Sequence, residues 1–318
     1  MIYTLILLQA ALPALLLGWL ALKPLPSLIG RMVQILSTFL FVAALYVVGV
    51  WLMPPWWTAH ILAAGWLVAA LVSLRGSLSS ARLPSSLWEG GAAVALATLA
   101  VYAGWLAIDG TAGRQPTVAT IDLAFPLGHG TYLVTSGGSA PSVNGHMRTL
   151  HPTTPRMAAH RGQSYAVDMV RIDQWGRRAE GLHPRDPSRY LIFGESVRAP
   201  CSGSVVAARG DLPDLPIPEK DLEHLTGNHV LIECKGVHVL LAHLKDGTVA
   251  VAPGIQVQAG EIIGTIGNSG NTDEPHLHIH AQRPSSADEP ISGEPLQIRL
   301  GGRFLVRGDR RTVSEDDG

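Results

Sequence analysis

The first 108 residues carry five charges: Lys23, Arg31, Arg75, Arg82 and Glu89. A water-soluble domain has about a quarter of its residues charged, so this stretch cannot form a solvated surface. In lipid, every backbone N–H and C=O must find a partner inside the protein, and uncharged runs of about 20 residues therefore fold as spanning helices. Met1 to Leu22 is one such run, and Pro13 is expected to kink it. It has no basic n-region and further apolar runs come after it, which separates it from a signal peptide. Met32 to Leu74 is also uncharged and is too long for one span. Pro54-Pro55-Trp56-Trp57 divides it into helices expected at about 33–53 and 59–74, with the tryptophans at the membrane interface. A fourth helix, rich in Ala and Gly, is expected at about 90–108.

The few basic residues orient these spans. Lys23 and Arg31 lie between the first and second, Arg75 and Arg82 between the third and fourth, and the loop between the second and third has no charge. Basic loops stay in the cytoplasm. Four spans then put both ends of the helical region outside the cytoplasm. The multi-pass chain is thus expected in the cytoplasmic membrane, with its C-terminal domain extracytoplasmic, either periplasmic or extracellular.

The remaining 210 residues hold 20 basic and 24 acidic residues. This near balance offers nothing to a nucleic-acid backbone. Residues 109–124 read as a linker and 301–318 as a polar tail expected to fray. Between them the chain breaks into short β runs separated by Gly, Pro, Asn and Asp: Thr131–Thr135, Ser164–Ile172, Tyr190–Phe193, Ser204–Ala208, His229–Glu233, Val237–Ala242, Glu261–Ile266 and His276–Gln282. The expected architecture is an all-α membrane domain over 1–108 followed by a mainly antiparallel β domain over 125–300. The segment 211–228 reads as an exposed loop, able to wall a groove. Cys201 and Cys234 lie in strand-like surroundings and suit either a disulfide or two buried thiols.

Chemistry concentrates in Pro275-His276-Leu277-His278-Ile279-His280. Strand side chains alternate faces, so His276 and His278 share one face while Leu277 and Ile279 enter a core. His243 ends the apolar run Val237–Leu241, and Asp168 sits inside the apolar run Tyr165–Val170. A carboxylate there is costly unless it is coordinated or paired, and Arg161 and Arg171 are the candidate ion-pair partners. Two His and one Asp suit a catalytic zinc with a fourth position left for water. His146 and His160 are the candidates for the upstream ligand, with His151 a weaker third.

The ordered series Gly227-Asn228-His229-Val230-Leu231-Ile232, Ala242-His243-Leu244, Gly267-Asn268-Ser269-Gly270 and Pro275-His276-Leu277-His278 resembles the lysostaphin/LytM-type zinc metallopeptidases of bacterial cell walls. Gly194-Glu195-Ser196-Val197 and the glycines Gly260 and Gly264 extend the resemblance over roughly 125–283. It implies a small antiparallel β domain with an open groove, one zinc ion per chain, Asp168 and His278 as zinc ligands, and His243 and His276 as catalytic histidines. It implies peptidoglycan peptides as partners and peptide-bond hydrolysis as the activity. The family's usual first ligand stands four residues before the aspartate, where this chain has Ser164. His146 lies 22 residues before Asp168 and His160 eight. The spacing Gly137-Gly138, Asn144-x-His146, Gln163-x-Tyr165-Ala166-x-Asp168 is similar to a divergent branch and favours His146, with His160 as the alternative. His280 replaces a common glutamate and is expected to be exposed or to stand behind the ligands; His229 and His238 are expected to be structural. The displaced first ligand keeps open a non-catalytic binding or activator module of the same fold, and the four spans a membrane sensor with an accessory β domain. The insert 136–163 could also act as a flap over the groove.

Overall fold

The computed structural model describes residues 2–75 and 81–315. The chain separates into two compact units, residues 1–111 and 112–318.

Among the described residues the first unit has four helices long and apolar enough to cross a membrane: α1 (Ile2–Leu22), α2 (Leu28–Val48), α3 (Thr58–Arg75) and α4 (Leu87–Ala112). Pro13 has no N–H to offer the preceding turn. The helix widens there into a π turn at Leu7–Ala11, where the Leu12 amide donates to Leu7. Helix α2 starts and ends five residues earlier than expected; Ser27 caps its start by accepting from the Gly30 amide, and it ends at Gly49, whose amide donates to Leu45 O. The polar residues of this unit join segments distant in sequence. Glu89 accepts from the Ser27 and Ser85 amides at 2.8 and 3.0 Å. Arg31 donates to the carbonyls of Leu25 and Ser73. Gln9 bonds both backbone groups of Val50. Residues 76–80 of the third loop lie outside the described residues.

The second unit is a mostly antiparallel β domain with twelve strands among the described residues: β1 (Thr120–Leu123), β2 (Gly130–Ser136), β3 (Val167–Ile172), β4 (Ser196–Arg198), β5 (Gly203–Arg209), β6 (Asn228–Cys234), β7 (Val237–Leu244), β8 (Gln256–Val257), β9 (Ile262–Thr265), β10 (Leu277–Gln282), β11 (Pro295–Leu300) and β12 (Arg310–Val313). The main sheet runs β12-β2-β3-β10-β7-β6-β5-β8, and β4 pairs with β9 in a second small sheet. Strand β10 lies against β7 along its length; its other edge is shared between β3 and β11. Ile279 stands opposite Leu241 and Val167, and all three belong to the main core with Met169, Val197, Val230, Ile232, Ile263 and Leu277. The opposite face of the same strands carries Asp168, His278 and His280, then the apolar cluster Ala242, Leu240, Leu231 and Ala207 with Ile291 over it.

Two segments expected to be irregular are built into this domain. Within the expected linker, Thr120–Leu123 pairs in parallel with β11, and helix α4 runs on to Ala112. Within the expected tail, Arg310–Val313 pairs with β2, and Leu305, Val306 and Val313 are buried. In both cases an edge strand with unpaired backbone groups recruits the nearby chain end. Residues 316–318 lie outside the described residues. The run Tyr190–Phe193 forms turns rather than a strand, although Ile192 still enters the core. Residues 161–165 form a 3-10 turn before β3. Cys201 and Cys234 form a disulfide that ties the turn before β5 to the end of β6, with Cα atoms 6.0 Å apart.

Candidate active site

Strand register assembles the first pair. Asp168 on β3 lies directly opposite His278 on β10, and His278 Nδ1 is 2.9 Å from Asp168 Oδ1. His146 joins them from the short 3-10 helix Gly145–Thr149, its Nε2 3.4 Å from Asp168 Oδ2 and its ring centroid 5.0 Å from that of His278. Asn144 sets this placement. Its Oδ1 accepts from the His146 amide and from His146 Nδ1, both at 3.1 Å, while its Nδ2 donates to the Gly138 and Ala166 carbonyls. Nδ1 of His146 is thereby occupied as a donor, and Nε2 is the nitrogen left facing Asp168.

His243 arrives by a break in the strand rule. Strict alternation would send it to the core face with Leu241. Instead Asn228 pairs with Leu244 and His229 with Ala242, so His243 is the extra residue of a bulge. Its φ is +63°, a left-handed conformation that a side chain rarely takes. The conformation is held by hydrogen bonds from its amide to Thr226 O and to its carbonyl from the Gly267 amide. The ring then lies 4.7 Å from His276 and 5.8 Å from His278, centroid to centroid. His243 Nδ1 donates to Ser269 O at 2.9 Å, and His276 Nδ1 donates to Glu274 O at 2.8 Å. Each ring therefore presents Nε2 as its free nitrogen; that of His276 is 3.7 Å from Asp168 Oδ1.

Two overlapping groups have ligand atoms all within 4.8 Å of one another: His146, Asp168 and His278, and His243, His276 and His278. His160 is in neither group and lines a neighbouring cavity. Ser164, at the usual first-ligand position, is fully buried and bonds Thr149 and the Arg161 carbonyl. Neither candidate arginine forms a salt bridge with Asp168: Arg171 is paired with Glu195, and Arg161 donates to Leu150 O.

Burial drives the His146 imidazole down to about 4, with His278 and His276 adding to the effect and Asp168 opposing it. Burial, reinforced by His276 and His278, holds His243 well below its ordinary value. For Asp168 burial pushes upward, but the facing rings of His146, His276 and His278 outweigh it and hold the carboxyl well below the usual carboxylate range. At neutral pH the site thus offers an anionic Asp168 beside the neutral imidazoles of His146 and His243, the protonation state a divalent metal needs.

His280 is fully buried rather than exposed, and its Nδ1 lies 3.0 Å from His278 Nε2. When His278 carries its proton on Nε2 and donates it to His280 Nδ1, its Nδ1 lone pair faces a carboxylate oxygen at 2.9 Å. Two acceptors that close need a cation or a proton between them. The donor set therefore fits a metal ion such as zinc, held by His146, Asp168 and His278.

Sequence reading also passed over a supporting layer. Arg178 and Glu274 form an ion pair at 2.6 Å, with side chains 1% and 4% exposed, and Thr272 donates to the same Glu274 carbonyl that holds His276. The loop 211–228 is anchored rather than loose: Asp214 accepts from the Asn268 amide, Asn228 bonds both backbone groups of Leu212, and Ile217 is buried. An acidic residue directly before Pro-His-x-His, and an Asx residue two before a candidate ligand, were the available signals.

Residues 191–291 match the family model of peptidase family M23. The β domain has the M23 peptidase fold. The match spans His243, His276 and His278; Asp168 and His146 lie upstream of it. A search of the curated proteins gives no match. Solved structures similar to the chain include the catalytic domain of the antimicrobial peptidase lysostaphin from Staphylococcus simulans, at 21% identity over 41% of this chain and 74% of that one, TM-score 0.27. Lysostaphin itself matches at 21% identity over 45% of this chain and 44% of its own length, TM-score 0.27. A zinc-containing peptidase from Vibrio cholerae matches at 19% identity over 38% of this chain and 48% of that one, TM-score 0.24. The chain thus spans less than half the length of the last two. The M23 domain here is preceded by four helices able to cross a membrane.

Proposed function

We propose that this protein is a membrane-anchored zinc endopeptidase that hydrolyses peptide bonds of peptidoglycan outside the cytoplasmic membrane. One observation carries the reading: two histidines, each with Nδ1 tied to a backbone carbonyl, present Nε2 beside a His146–Asp168–His278 donor set. A zinc ion held there would supply a Lewis acid able to acidify a water and polarise a carbonyl. His243 and His276 do the proton work. Each can accept a proton at Nε2 or donate one to the departing amine, and in the protonated form each stabilises negative charge on the substrate oxygen. The carbonyls of Ser269 and Glu274 keep the tautomers correct through that exchange. Burial keeps His243 neutral at the start, as a base requires. The extracytoplasmic placement draws on the basic loops of the helical unit and on the Cys201–Cys234 disulfide, which belongs in an oxidising compartment.

The test is release of soluble peptides from purified sacculi by the full chain in detergent, with zinc, with a chelator, and with His243→Ala. Zinc-dependent release lost in the variant is the expected result, and product masses identify the bond. A folded, zinc-loaded protein that releases nothing would overturn the substrate assignment. A protein that holds no zinc would overturn the enzyme reading.

A further inference from the structure

A cavity of about 740 Å³ opens on the face of the sheet that carries the metal-ligand candidates. Strand register relates it to them. His278 on β10 is opposite Ala242 on β7, which is opposite His229 on β6, so His229 lies on the same face two strands away. At about 4.8 Å per strand that is about 10 Å from His278. The wall is continuous with the site as well. Thr226 lines the cavity, and its carbonyl accepts from the His243 amide.

His229 is only 8% exposed and lines the cavity. Its Nδ1 donates to Gly227 O at 2.8 Å and lies 3.1 Å from Thr226 Oγ1. Nε2 is therefore an acceptor; it has no partner among the described residues and is left to the cavity. An acceptor of this kind, open to the cavity on a side chain that is otherwise buried, is placed to take a donor from a ligand. The charges around it choose the donor. Arg209, a cation of the lining, is paired with Asp211, and His224 with Asp221. The carboxylates of Glu223, Asp288 and Glu289 line the same cavity and form no ion pair among the described residues.

We propose that this cavity is a subsite for a peptide side chain bearing a primary ammonium group. His229 Nε2 accepts one N–H, and the three carboxylates supply the counter-charge. An extended peptide advances about 3.3 Å per residue, so the ammonium-bearing residue sits about three positions from the bond held at the His146–Asp168–His278 centre. The subsite deepens the peptidase reading and rests on it for the position of the scissile bond, but the ammonium preference can be measured without catalysis.

The experiment uses the full chain carrying His243→Ala in a neutral detergent, titrated calorimetrically with two probes. One is N-acetyl-Ala-Ala-Ala-Lys-Ala amide; the other is its Nε-acetyl-lysine twin. The lysine peptide is expected to bind at least about tenfold tighter, a difference of about 1.4 kcal/mol, with the preference shrinking as salt is raised. Glu223→Gln, Asp288→Asn and Glu289→Gln combined should abolish the preference, and His229→Phe should weaken it. Because the three carboxylates are exposed, their replacement leaves the fold intact even if His229→Phe does not. Equal affinity for the two peptides, or no binding of either, overturns the subsite. An ammonium preference with no release of peptides from sacculi by the zinc-loaded wild-type chain would overturn the peptidoglycan assignment and leave the subsite standing.

Discussion

At the residue scale, the site depends on where single nitrogens point. His243 Nδ1 is held by Ser269 O and stands outside the His146–Asp168–His278 group. His243→Ala is therefore expected to keep stoichiometric zinc by atomic absorption while hydrolysis falls by roughly 10²–10⁴-fold, the usual worth of general acid–base catalysis. His146→Ala should lose zinc, and His160→Ala should not. His280 touches His278 Nε2 and fixes which nitrogen of the ligand is free. His280→Ala is expected to weaken zinc binding about 10–100-fold, as removal of such outer partners does, with His280→Gln recovering part of the loss in a competition titration. Titration adds a pH prediction for the zinc-stripped protein. His146 titrates at about 4 in the folded chain and at about 6.5 when unfolded. Between those values the unfolded chain holds the extra proton, so stability present above about pH 6.5 is lost as the pH falls through that window. Asp168, held low, acts in the same direction at still lower pH. Denaturation midpoints should drop steadily from about pH 7 to about pH 4.5, and His146→Ala should flatten the slope.

At the element scale, two cross-links hold the segments that deliver those residues. The disulfide joins the turn before β5 to the end of β6. Replacing both cysteines with serine is expected to lower stability by about 2–5 kcal/mol, and thiol titration of the denatured, unreduced chain should find no free cysteine. The Arg178–Glu274 pair clamps the loop after β3 to the segment carrying His276. Breaking it with Arg178→Met leaves a buried carboxylate uncompensated, at a cost of about 3–5 kcal/mol. Denaturant melts of the single and double replacements check this, because removing both charges should recover part of the loss. Nothing in the local sequence marks Arg178 as a partner of Glu274: they are 96 residues apart, and only the fold brings them into contact.

At the scale of the whole molecule, the proposed topology, with the four helices as spans and the basic loops in the cytoplasm, puts the β domain on the other side. A reporter active only outside the cytoplasm should work when fused after the last helix and fail when fused in the loop between α3 and α4. The amino-acid sequence alone established the apolar four-helix region, the short-strand β domain and the chemistry of the Pro-His-x-His strand. Those features come from hydropathy and from a side-chain period of two, both local properties of the chain. It left open which upstream histidine stands beside Asp168, whether the cysteines pair, and what the chain ends do. These depend on contacts between distant segments, such as Asn144 with Ala166, Cys201 with Cys234, or Val313 with Gly130. His243 shows the limit most clearly. Alternation along β7 would bury it with Leu241, and the bulge opposite Asn228–His229 turns it to the metal-facing side instead. A bulge is a property of two paired strands, so no reading of one strand could have found it.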